Sequence, residues 1–108
     1  MLLTLLLTLA LQAPTLKVSP AYAPEPATII MTVTNIAGPV ICVGLVGLDY
    51  TRSSCEETQG RKIIQFVYDR VPYGEYDAIA VTCPTRNSSE CSSTQPFQVI
   101  VTETGEPR

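Results

Sequence analysis

The sequence predicts an all-β protein, an antiparallel sandwich of about seven strands. Three observations carry this. Proline and glycine interrupt the chain beyond residue 11 at intervals of about ten residues. Between them lie runs rich in β-branched and aromatic residues, and no stretch sustains the apolar period of a helix. Hydrophobic residues make up 45% of 108 residues and charged residues 16%, which allows one core and argues against disorder.

The elements follow in order. Leu16–Ser19 is a short first strand, stopped by Pro20. Residues 21–27 (AYAPEPA) carry two more prolines, which cannot donate to a central ladder. Thr28–Thr34 alternates, with Ile29, Met31 and Val33 on one face. Residues 35–39 (NIAGP) form a turn, and Val40–Val46 is a buried strand. Residues 47–50 reverse the chain, and Thr51–Glu57 returns as a polar edge strand. After a turn at Thr58–Gly60, Arg61–Tyr68 places Ile64, Phe66 and Tyr68 on one face. Glu75–Cys83 presents Tyr76, Ala78 and Ala80 together, and Pro96–Thr102 closes the fold.

The segment Val71–Tyr76 (VPYGEY) is the most informative. Proline presets φ at the second position of a turn and glycine suits the fourth, so the chain reverses between two strands. Tyr76 then enters the next strand, where its ring can reach the core and its hydroxyl can cap backbone at the corner. Pro72, Gly74 and Tyr76 are therefore assigned as a structural corner.

This phrase, an apolar residue followed by Pro-x-Gly-x-Tyr, resembles the late hairpin of small exported bacterial immunoglobulin-like or fibronectin III-like sandwiches. Carboxypeptidase-regulatory-like and transthyretin-like modules are similar there. The segments Val18–Pro20, Ala23–Ala27 and Gly47–Cys55 resemble the same group, and the likeness spans roughly residues 16–102. It implies an immunoglobulin-like fold and no particular chemistry. The chain departs from antibody domains: it has no tryptophan, and Ala78 stands where an inter-sheet cysteine would be.

Residues 2–11 read LLTLLLTLAL. So short an apolar run falls well below the roughly 20 residues of a membrane span and suits the core of a secretory signal. No Lys or Arg precedes it. Thr8 and Ala10 suit the small-residue rule for cleavage, so the expected division is a signal peptide at 1–10 and one domain at 11–108. The expected location is secreted or periplasmic.

Four cysteines agree with export, because small secreted domains supplement a modest core with disulfides. Their spacings of 12, 27 and 7 intervening residues include no C-x-x-C, and histidine is absent, which argues against zinc. Residues facing each other in a hairpin have a constant index sum. Gly47 and Tyr50, flanking the turn, share that sum with Cys42 and Cys55. The expected pairing is Cys42–Cys55 and Cys83–Cys91. The rival pairs Cys42 with Cys83, since an immunoglobulin-like sheet makes those strands neighbours.

Candidate chemistry is sparse. Without histidine, neither a serine triad nor a Cys-His pair can form within the chain. Glu56 and Glu57 are adjacent and point to opposite faces of a strand. Glu75 and Asp77 share a face and can offer carboxylates to calcium, but no D-x-D-x-D loop accompanies them. Ser53-Ser54 and Ser88-Ser89 lack a base. Asn87-Ser88-Ser89 matches a glycosylation sequon, meaningful only in a eukaryotic host. A net charge of −3 with no run of like charges gives no footprint for nucleic acid. No cofactor is implied.

Tyr50 and Arg52 are candidate partner contacts, since both residue types are enriched at hot spots. Ile79, Val81 and Ile30 make their strands apolar on both sides, which fits a protein-contacting sheet face. The expected function is a non-catalytic binding or structural module acting on another exported protein or envelope component. The alternative is a secreted inhibitor of a hydrolase that presents the loop 84–95.

Overall fold

The computed structural model describes residues 14–84 and 91–104. The expected signal peptide, its cleavage site after Ala10, the Asn87 sequon and half of the 84–95 loop lie outside the described residues. Among the described residues there is no helix, and none long and apolar enough to cross a membrane.

The protein is an all-β sandwich of two sheets. One holds β1 (Thr15–Ser19), β3 (Ala27–Thr34) and β6 (Ile63–Val71) in the order β1-β3-β6. The other runs β2-β9-β7-β4-β5, with β2 at Tyr22–Pro24, β4 at Val40–Val46, β5 at Thr51–Glu57, β7 at Gly74–Cys83 and β9 at Phe97–Thr102. A short β8 (Ser92–Ser93) pairs with β7.

The described residues form nine strands where about seven were expected, because two very short strands join the larger sheet. The sandwich is also not wholly antiparallel, since β2 pairs with β9 in parallel. The prolines at 20, 24 and 26 keep β2 out of a central position, as expected. It lies at the sheet edge, where a missing N–H breaks no ladder. The chain leaves the smaller sheet after β1, runs three residues beside β9, and returns as β3. The bonds Ser19–Pro20 and Glu25–Pro26, both cis, mark the two crossings.

The alternating faces supply the core. Ile29, Met31 and Val33 of β3 and Ile64, Phe66 and Tyr68 of β6 meet Ile41, Val43 and Leu45 of β4, Tyr76, Ala78 and Ala80 of β7, and Val99 and Val101 of β9. Period-2 alternation buries one side of each of these five strands at about 25 cal/mol per Å² of apolar surface. β6 runs three residues past its expected end at Tyr68. Asp69 and Arg70 both face solvent, Arg70 adopts φ 58°, and the register against β3 shifts between Ala27 and Ile29. This bulge returns Val71 to the core.

The β4–β5 hairpin has the expected register, with Cys42 opposite Cys55. The structure bonds Cys42 to Cys55, with Cα atoms 4.0 Å apart, and Cys83 to Cys91. The rival pairing fails geometrically. In the β4–β7 ladder Cys42 faces Val81, while Cys83 faces Val40.

Candidate functional site

One end of the sandwich carries a cleft of about 720 Å³. Four elements build it. β2 contributes Tyr22, the β4–β5 turn contributes Leu48, Asp49 and Tyr50, and the β6–β7 turn with the start of β7 contributes Pro72 to Tyr76. The end of β9 supplies Ile100, Val101 and Thr102. Its volume falls within the roughly 300–1,000 Å³ usual for ligand sites. Four of the chain's five tyrosines line it.

Tyr76 forms the buried floor. Its hydroxyl donates to the Pro72 carbonyl at 2.7 Å, so the corner residues Pro72, Gly74 and Tyr76 come together as a closed turn. The β4–β5 turn packs on the ring from above. Gly47 N–H donates to the Tyr50 carbonyl at 2.9 Å, and the Tyr50 ring meets Tyr76 edge-on at 5.9 Å. Gly47 makes this approach possible: a Cβ there would sit 2.7 Å from two atoms of the Tyr76 ring. Gly74, with φ of +155°, admits the same side chain, and a Cβ there would meet its hydroxyl at 3.1 Å. Gly47→Ala is therefore expected to destabilise the fold by about 1–3 kcal/mol through overpacking, read as a lowered denaturant midpoint.

Burial raises the Tyr76 hydroxyl above the ordinary tyrosine pKa, and Tyr50 and Asp49 push it the same way. The rim is open. Leu48 is fully exposed, and Tyr73 and Tyr22 are 49% and 43% exposed. Exposed aromatic and aliphatic side chains gathered in a concavity mark a binding surface far better than scattered ones do.

The structure separates the two candidate partner contacts. Tyr50 belongs to the cleft wall. Arg52 lies over the Tyr68 ring at 4.5 Å and donates to the Asp69 carbonyl at 3.3 Å, closing the gap between β5 and β6. The pair does not form one patch, because Arg52 shares the inward side of β5 with Ser54, whose Oγ accepts from Tyr68 at 3.0 Å. Glu56 pairs with Arg61 at 3.3 Å, and Arg61 also donates to the Thr58 and Glu57 carbonyls. Glu75 and Asp77 face solvent, and among the described residues no group of three or more metal-ligating side chains forms.

Ile79 and Val81 are half-buried on the outer face of the larger sheet, where Val81 lies opposite Cys42 and Ser93. Ile30 is exposed on the outer face of the smaller sheet, opposite Val67. Tyr22, Leu48 and Tyr73 were missed as site residues. For the two tyrosines the signal was a recurrence of tyrosine beside turns, at 22, 50 and 73, legible only once those turns are known to share an end; Leu48 carries no such signal.

No family model matches the chain, and no curated protein or solved structure matches it.

Proposed function

We propose that the chain is an exported, immunoglobulin-like, non-catalytic binding module that holds another exported protein or envelope component at the tyrosine-lined cleft. The observation that carries this reading is the cleft itself, with its rim of exposed Leu48, Tyr22 and Tyr73 over the buried Tyr76. Tyrosine supplies large contact area at low entropic cost and is enriched at hot spots. Two disulfides support an oxidising, secreted or periplasmic location. The strand order and the tyrosine corner support the immunoglobulin-like assignment. The non-catalytic reading is supported by the absence of histidine and by the engagement of Ser54 and Glu56 in structural bonds.

The test is capture of partners from the host's exported fraction by wild type and by Leu48→Ala and Tyr73→Ala. Both side chains are exposed, so both variants are expected to melt with wild type and to lose a specific partner. Capture of that partner undiminished by either variant would sink the cleft as the binding surface.

A further inference from the structure

The chemistry of the cleft narrows its occupant, and this inference rests on the reading of the cleft as a binding site. Its charged lining is of one sign. Asp49 and Glu75 line it, both exposed, and among the described residues no Lys or Arg does. A third carboxylate stands beside it, since Glu25 accepts the Tyr73 backbone N–H at 3.3 Å. Carboxylates only accept, so a ligand must bring donors, and a cationic donor makes the strongest bond. The buried Tyr76 hydroxyl does not supply the opposite role, because its proton is already given to the Pro72 carbonyl.

The rings point the same way. The half-exposed Tyr22 and Tyr73 offer electron-rich faces to a cation and apolar faces to proline, the surface on which extended proline-rich segments dock. Tyr50 and Tyr76 cross at 81°. They make an angled wall rather than a level shelf, which suits an extended chain better than the flat face of a sugar ring.

We infer that the cleft receives an extended cationic segment of a partner polypeptide. Its arginine or lysine side chains meet Asp49 and Glu75. Its proline or other apolar residues lie on Tyr22, Tyr73 and Leu48.

Nitrogen-labelled, fully oxidised protein would be titrated with three synthetic peptides, alternating arginine–proline, serine–proline and glutamate–proline, and with a cello-oligosaccharide. The expected result is movement of amide signals around residues 48–50 and 73–76 with the arginine peptide, weakening as salt rises. Asp49→Asn combined with Glu75→Gln should weaken that binding about tenfold, while Glu56→Gln leaves it unchanged. Equal binding of the serine or glutamate peptide, or binding untouched by the double variant, would overturn the cationic assignment and leave the cleft as a peptide site. Binding of the oligosaccharide alone would overturn it in favour of a glycan. Silence of the cleft with every probe would overturn this inference, while partner capture lost in Leu48→Ala and Tyr73→Ala would still stand for the broader reading.

Discussion

Reducing both disulfides is expected to remove about 5.5 kcal/mol of stability, roughly 3 from Cys42–Cys55 and 2.5 from Cys83–Cys91 on the chain-entropy account. The loops they close are short, with sequence separations of 13 and 8, so neither contribution is large alone. The two loops are independent segments, so their effects should nearly add. Domains of this size hold only about 5–15 kcal/mol in total, so the reduced chain should be marginally folded at best. Denaturant titration of oxidised and reduced protein measures the difference. Paired replacement, Cys42→Ala with Cys55→Ala and separately Cys83→Ala with Cys91→Ala, divides it. A reduced protein with an unshifted midpoint would mean that the strand ladders alone fix the fold.

Tyr76→Phe is expected to cost about 1–3 kcal/mol, since the Pro72 carbonyl loses its donor and no other hydroxyl replaces it. In a domain of this size each kcal/mol lowers the melting temperature by about 4–8 °C. The same hydroxyl predicts a pH effect. Its pKa is raised above the ordinary value of 10.0, so the neutral form is the one the fold favours. That stabilisation is fully present below pH 10.0 and is lost as the pH climbs through the higher folded value. Wild type should therefore lose stability at high alkalinity more steeply than Tyr76→Phe. Parallel alkaline unfolding curves for the two proteins would contradict the assignment of the hydroxyl.

Much of this was legible in the residues. β4 and β5 begin and end where alternation and turn chemistry placed them, and a hairpin's fixed index sum is enough to set Cys42 against Cys55. The corner was legible because Pro72, Gly74 and Tyr76 each answer a local backbone demand. Failures came where a tertiary choice overrides a local one. Nothing near Arg70 announces a positive φ, yet the bulge there is what brings Val71 inward. The prolines around Tyr22 forbid a central strand and say nothing against an edge one. The cleft was hidden for the same reason. Tyr22 reaches Ile100 only through the parallel β2–β9 pair, a long-range contact that no local pattern encodes.

Both covalent links lie within the larger sheet. Cys42–Cys55 joins β4 to β5, and Cys83–Cys91 ties the end of β7 to the residue before β8. Neither reaches β1, β3 or β6. In mechanical terms the molecule is a cross-linked plate with an uncross-linked plate laid on it, fastened by side-chain contact and by the chain's own crossings. A force pulling β1 away from β9 meets no disulfide until the plates have parted. The cleft is formed by the larger sheet and by the turn that joins the two, so its tyrosine floor belongs to the half of the molecule that carries both links.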